Sequence, residues 1–329
     1  MVIKKISTIA LAAVLAASAI IVPPAFADDE ATVTNTTEST TEEKPDVWLQ
    51  ISPVSNRISL VAGQSLEYAF NVENIGSKTF SYHVYAAPYS VENENYDANF
   101  SRETSRTQLS RWITFYDGNE GDNFVSTAGF TINPGEKQTI RYMVSVPADI
   151  PEGGQYATIF AESDNNGATS GSGIKTVSRV GLVIYGRTAG DTREEAEITE
   201  YTLKGFLTSG QITGTTTIKN TGNTDFESTY SLIVKSLFGK DLYEKNQVYD
   251  VLPDTERHLS LSWPDTPMFG IFQVTASVAA MNASKEETKL VLVIPMFVII
   301  IMLILLTIMI VWIIILIRMR KGQRSRLIV

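Results

Sequence analysis

Val72-Glu73-Asn74-Ile75-Gly76-Ser77-Lys78-Thr79-Phe80 returns later in the chain as Ile218-Lys219-Asn220-Thr221-Gly222-Asn223-Thr224-Asp225-Phe226. The offsets are the same: an apolar β-branched residue, Asn, Gly, then Phe. Working outward, Leu66, Tyr68, Phe70 and Val72 alternate with polar residues, and so do Phe80, Tyr82, Val84 and Ala86. Ile140, Tyr142, Val144 and Val146 repeat the pattern. Period-two alternation bounded by Asn, Gly and Pro marks half-buried antiparallel strands. Asn and Gly both accept the positive φ of a tight hairpin, so each copy reads as a strand, an Asn-x-Gly turn and a returning strand. Further on, Pro134 and Glu136, then Pro147 and Pro151 before Tyr156, are mirrored by Pro253, Glu256, Pro264, Pro267 and Phe272.

Two such units predict an all-β chain with two tandem immunoglobulin-like sandwiches, over residues 47–190 and 195–282. The first is longer than the roughly 100 residues usual for this architecture. Its surplus is an insertion between two strands, Pro88 to Thr127. Outside the two ends of the chain, only Glu103 to Arg111 suits a short helix.

Those ends carry the longest apolar runs. Lys4 and Lys5 precede the uncharged run Ile6 to Val22, and Ala25-Phe26-Ala27 follows as an A-x-A cleavage site, so residues 1–27 read as a signal peptide. No Cys follows the site, which excludes a lipoprotein. Asp28 to Asp46 holds seven acids, one Lys and little to bury, and reads as a disordered, acidic, Thr-rich spacer over 28–46. Ser163 to Gly173 reads as a mobile loop tip. Leu290 to Ile317 is 28 uncharged residues, enough to span a bilayer core of about 30 Å with some tilt. Pro295 lies near one end, where few helical hydrogen bonds would be lost, and Trp312 near the other, where aromatics favour the interface. Arg318, Arg320, Lys321, Arg324 and Arg326 follow without an anion. The positive-inside rule makes 318–329 a cytoplasmic tail and leaves the bulk of a single-pass membrane protein outside.

The composition narrows the chemistry. With no cysteine among 329 residues, disulfide frameworks, thiolate zinc sites and cysteine nucleophiles are excluded. The net charge of −9 argues against nucleic acid. All 36 acids but only 20 of the 27 cations lie within 28–289, so that part carries −16, which keeps it soluble and discourages docking on anionic lipid.

Ile51-Ser52-Pro53, Val61-Ala62-Gly63-Gln64, Asn74-Ile75-Gly76, Pro134-Gly135-Glu136 and Gly153-Gly154-Gln155-Tyr156 give the chain the look of a family. In these turn and strand motifs, and in its order of signal, two Ig-like domains, span and basic tail, it resembles the WxL-interacting surface proteins of Gram-positive bacteria. The resemblance implies a first domain that binds peptidoglycan and a second that binds a host or partner protein. The insertion Pro88 to Thr127 departs from that pattern.

Candidate chemistry is sparse. His83 and His258 each alternate outward from their strands, and neither sits in a Ser-His-Asp motif. On separate domains they supply no ordinary zinc ligand set. Asp117-Gly118-Asn119-Glu120-Gly121-Asp122-Asn123 crowds oxygen donors as a calcium loop does, but lacks the alternating spacing and the closing Glu, so an acidic hairpin loop is the better reading. Glu92, Glu94 and Asp97 could be drawn as paired carboxylates for glycoside hydrolysis; nothing in the sequence puts them in a cleft. Leu252-Pro253-Asp254-Thr255 approaches a sortase signal, but Glu256 replaces the required Gly, and the repeat already explains it as a Pro-led turn. No metal or cofactor is expected.

The insertion concentrates aromatics beside Asn and acidic groups. Tyr89, Tyr96, Trp112 and Tyr116 are the candidate ligand contacts, because exposed rings of this kind stack on sugar faces. Their alternative is a satellite core over the end of the sandwich. The reading is of a non-enzymatic, membrane-anchored bacterial surface protein that binds cell-wall glycan or a surface protein. Its rival is a scaffold that projects or assembles a surface complex, which a long unpaired sheet edge would favour.

Overall fold

The computed structural model describes residues 45–119, 123–164 and 177–324. The signal peptide, nearly all of the acidic spacer, the centre of the Asp117–Asn123 turn and residues 165–173 of the expected loop tip lie outside the described residues.

Two sandwiches follow one another, and each chain entry splits between two sheets. In the first, β1 (Leu49–Ser52) and β2 (Ser55–Leu60) part at Pro53. One sheet runs β1, β3 (Ser65–Asn74), β10 (Lys137–Ser145), β7 (Ile113–Tyr116) and β8 (Phe124–Val125). The facing sheet runs β2, β12 (Arg179–Thr188), β11 (Gly154–Ser163), β4 (Phe80–Pro88) and β9 (Thr127–Ile132). A two-residue ladder, β5 (Ser90–Val91) with β6 (Ala98–Asn99), forms a separate hairpin in the insertion.

The second sandwich repeats the plan with fewer strands. β13 (Ala196–Leu203), β15 (Ile212–Asn220) and β18 (Glu256–Trp263) form one sheet. β14 (Phe206–Leu207), β20 (Ala283–Val293), β19 (Gly270–Ala280), β16 (Phe226–Ser236) and β17 (Asp241–Val251) form the other. In both sandwiches the second strand pairs parallel with the last, β2 with β12 and β14 with β20. β20 carries this sandwich past residue 282, where the sequence pattern ends it.

The alternating side chains face inward as their period requires. Phe70, Val72, Tyr82, Val84, Tyr142 and Val144 are buried in the first core, and Tyr230, Leu232, Val234, Val274 and Val278 in the second. Burying each is worth roughly 1.5–3 kcal/mol. Leu66 is exposed, because the first residues of β3 lie at the rim of the sandwich.

The Asn-x-Gly motif works differently from a hairpin. β3 and β4 lie in opposite sheets, as do β15 and β16, so the motif turns a corner between layers. Asn74 is buried; its Nδ2 donates to Lys78 O (2.8 Å) and Ile132 O (3.4 Å), and its Oδ1 accepts Gly76 N–H (2.9 Å). Asn220 does the same with Thr224 O (2.8 Å), Val251 O (2.8 Å) and Gly222 N–H (2.9 Å). The glycines are needed for closeness and not for positive φ. A Cβ on Gly76 would stand 2.8 Å from Asp46 O, and one on Gly222 2.1 Å from Arg193 O, where the chain enters each sandwich. The Pro-led turns match too: Gly135 (φ 74°) donates to Asn74 O and Asp254 (φ 61°) to Asn220 O.

Glu103 to Arg111 contributes only a 3-10 turn, Gln108–Arg111, anchored by buried Leu109. The C-terminal helix α1 (Met296–Arg324) starts after Pro295, since Leu290–Val293 complete β20 in the ladder with β19. Met296–Arg318 is long and apolar enough to cross a membrane, with a mean hydropathy of 3.5 and none of its best window buried against protein.

Candidate functional site

The insertion folds across the junction of the two sandwiches. At the tip of the β5–β6 hairpin, Tyr96 takes a left-handed backbone (φ 65°). That conformation aims its ring into the second sandwich. The hydroxyl lies 2.6 Å from Thr255 Oγ1 and accepts the Leu252 N–H at 2.7 Å, and Arg257 covers the ring at 4.1 Å. His258 N–H donates to Glu94 O at 2.7 Å. Burial pushes the Tyr96 phenol up to about 12, although Thr255, Leu252 and Arg257 all pull the other way.

Below the hairpin a small apolar cluster joins Val91, Tyr156 and Tyr185 of the first sandwich to Leu252 of the second, with Tyr89 packed against it. Charge closes its edge. Arg57 on β2 reaches across to Asp225 (2.5 Å), Glu227 (3.1 Å) and Asp250. Its guanidinium also lies 4.6 Å over the Tyr185 ring. Burial opposes the charge on Arg57, but Asp225 and Asp250 outweigh it and hold its pKa above the ordinary value. Tyr156 donates to Asp225 Oδ1 and accepts the Asp225 N–H (3.1 and 3.0 Å), and burial, then the Asp225 carboxylate, drives its phenol well above the usual range. Arg187 holds Asp225 O at 3.1 Å, and Gly154 N–H holds Asn223 O at 2.8 Å. Asp225 belongs to the second Asn-x-Gly motif, so the motif that turns a corner in one sandwich also receives the other.

Beside this joint lies an open cleft of about 730 Å³, between the β5–β6 hairpin and the β17–β18 turn. Glu92, Glu94, Asp254 and Glu256 line it together with Arg102 and His258. It is polar and acidic.

The four candidate ligand contacts are not brought together. Tyr89 and Tyr96 belong to the joint, Tyr89 stacking on Phe100 at 6.1 Å and meeting Tyr185 edge-on. Trp112 is half-buried against the first core. Tyr116 stands on the β7–β8 hairpin, its hydroxyl on Asn119 O (2.7 Å) and its ring under Arg141 (4.8 Å). The residues of the joint that the sequence reading left out are Arg57, Tyr156, Tyr185 and Asp225. Tyr156 was visible only as the end of a turn motif.

The remaining polar candidates have local partners. Glu92 takes the Asn99 amide and Asp97 the Asn93 amide (2.7 Å), which braces the β5–β6 hairpin. Asp117 accepts Asn119 N–H (2.9 Å) and the Asn123 amide (2.7 Å), and these bonds, the backbone one first, lower its pKa. His83 Nδ1 lies 2.7 Å from Asp164 and its ring stacks on Tyr85. His258 keeps the parity opposite to buried Leu259, Leu261 and Trp263, and on that outward face it is half-buried at the joint, its Nδ1 3.1 Å from Thr217 Oγ1. Leu252-Pro253-Asp254-Thr255 is the turn that receives Tyr96. Among the described residues, no three His, Asp or Glu side chains are grouped to hold a metal.

No family model matches the chain, and no curated protein does. Among solved structures it is similar to a class 5 fimbriae chaperone, CfaA, at 12% identity over 75% of this chain and 100% of that one, with a TM-score of 0.35. The CsuC–CsuE chaperone–tip complex from the Csu pili of Acinetobacter baumannii matches at 13% over 73% and 97%, TM-score 0.34. The E. coli chaperone DraB matches at 9% over 75% and 99%, TM-score 0.35.

Proposed function

We propose that the chain is a membrane-anchored surface scaffold, without catalytic activity, that assembles a surface complex by taking a protein partner along the free edge of its second sandwich. The observation that carries this reading is β17. Among the described residues it is the longest strand that ends a sheet, 11 residues with β16 on one side and no strand on the other. β17 meets the facing sheet through Tyr243, stacked on Trp263, and between Tyr243 and Tyr249 the residues Glu244 to Val248 are exposed whichever face they point to. An extended segment can add to such an edge through main-chain hydrogen bonds. Lys245 at its centre discourages indiscriminate pairing.

The joint supports the same reading. It fixes the first sandwich on the second, which suits a rigid arm that presents an edge. Tyr89 and Tyr96 are engaged there, Trp112 packs on the first core, and Tyr116 stands apart on the β7–β8 hairpin, so no platform of rings is assembled for glycan and a protein partner fits better. Helix α1 serves as the anchor, with both sandwiches outside and the basic end inside. We also place the chain with the WxL-interacting surface proteins, on its domain order and turn motifs.

A photo-crosslinking residue at Val248 in the full chain on intact cells tests this. One discrete cross-linked species is expected, lost when Asn246→Pro blocks strand pairing, and none from Val54, which is the more exposed of the two. Absence of a product at Val248 overturns the edge as the binding surface. Protease shaving of the same cells should remove both sandwiches and spare the tail; their survival would overturn the topology.

A further inference from the structure

We infer that the end of the second sandwich nearest α1 is a lipid-docking collar, seated in the surface of the same bilayer the helix crosses. The inference rests on α1 being the anchor and adds how the arm stands on it.

The strand register sets the geometry. Gly270 on β19 and Leu207 on β14 both lie opposite Val293, the last residue of β20. Ser236 at the end of β16 lies opposite Phe272, two residues along β19. The chain ends of four strands therefore share one rim. From that rim only Ile294 and Pro295 lead into α1, and Ile294 N–H is still held by Leu207 O at 2.9 Å. Three residues from Val293 to Met296 span at most about 10 Å. Where α1 enters hydrocarbon, this rim lies at headgroup depth.

The rim has the composition such a position demands. Phe238 is 96% exposed at the β16–β17 turn, Met268 and Phe269 are 71% and 66% exposed before β19, and Phe206 on β14 is 50% exposed. Leu237 is exposed beside them. Large apolar side chains at three separate turns, all at one end, form a patch that water alone does not favour. Lys204 and Lys240 flank it on long stems that can keep their ammonium groups at the lipid phosphates. Asp241, paired with Lys235, and exposed Asp265 lie in the same turns, so the rim's charge is mixed and its apolar tips carry the docking. A bilayer is the occupant because the rim is continuous with α1 and no described element covers it.

The cysteine-free chain makes the test direct. Full chain is reconstituted into vesicles of phosphatidylcholine, with and without phosphatidylglycerol, carrying one spin label at Phe238→Cys, Met268→Cys, Val248→Cys or Ile304→Cys. All four side chains are exposed, so labelling leaves the fold intact. Labels at 238 and 268 are expected to be more accessible to oxygen than to a water-soluble nickel complex, and at 248 the reverse, in both lipid mixtures. If 238 and 268 report water while 304 reports lipid, the collar falls and the anchor stands. If 304 also reports water, the anchor itself falls and the collar with it. Spin–spin broadening at 238 that vanishes on dilution into excess lipid would show a contact between copies and would overturn lipid docking. Phe238→Asp with Phe269→Asp should shift the label at 268 into water; an unchanged signal would also overturn it.

Discussion

Tyr156 and Asp225, from different sandwiches, hold each other twice: the phenol donates to the carboxylate at 3.1 Å and accepts the backbone N–H of the same residue at 3.0 Å. The Asp225 side chain is only 4% exposed, and its other oxygen belongs to Arg57. A joint built this way resists bending because Tyr96, Tyr156, Arg57 and Arg187 each hold a polar group of the opposite sandwich.

Tyr156→Phe removes both bonds and leaves a buried N–H without a partner, at a cost of about 2–3 kcal/mol. Arg57→Ala should cost less, about 1–2 kcal/mol, because its guanidinium is half-exposed and screened by water. Thermal melts of the full chain should rank them in that order. Small-angle scattering of the Tyr156→Phe chain in detergent should show a wider spread of interdomain angles; an unchanged profile would mean that the hairpin alone fixes the angle.

Asn74 and Asn220 make matching predictions. Asn220→Ala strands two buried carbonyls and the Gly222 N–H, and should cost about 2–4 kcal/mol. Asn74→Ala should cost somewhat less, since one of its three bonds is long at 3.4 Å. Gly222→Ala should be worse than Gly76→Ala, because its Cβ would stand 2.1 Å from backbone oxygen against 2.8 Å. Chemical denaturation of each variant checks the order, and equal losses at the two glycines would contradict it.

The sheets were legible because period-two alternation is local and burial obeys it. The repeat told more than its chemistry suggested: Asn74 and Asn220 signalled a turn, but the corner they make between layers depends on which sheet each strand joins, a non-local choice. The joint was harder to read. Tyr96 has the same composition signature whether it meets a sugar or a neighbouring domain, and its partners Leu252 and Thr255 lie 156 and 159 residues away. Arg57 carries no local signal either, since its partners Asp225, Glu227 and Asp250 lie 168, 170 and 193 residues away. The apolar rim was hidden for a similar reason, since Phe206, Phe238 and Phe269 are far apart in sequence and meet only through strand register.

Alkaline pH should unfasten the protein through its tyrosines. Burial pushes Tyr96, Tyr142 and Tyr201 up to about 12, above the ordinary 10.0. A pKa raised on folding means the neutral phenol is favoured in the native state. That stability is complete below pH 10 and is lost as pH rises toward 12. Melting temperature should therefore hold steady up to that point and fall across the interval. Tyrosinate absorbance should rise together with unfolding; a full rise in the folded state would contradict the burial of these groups.

Tyr96 and Trp112 give the sharpest contrast between a glycan surface and a joint. Tyr96→Ala takes away the hydroxyl that holds Leu252 N–H and Thr255 and the ring under Arg257, all on the second sandwich. The hairpin should then lose its hold, and one cooperative melt should separate into two, one per sandwich. Trp112→Ala removes half-buried area packed on the first core alone, so it should lower the first sandwich by about 2–3 kcal/mol and leave the second unmoved. Calorimetry of the full chain in detergent distinguishes the two patterns. Cosedimentation with purified cell walls should be the same for both variants as for the parent. Unchanged melting with weakened cosedimentation would instead make these rings a sugar-binding face.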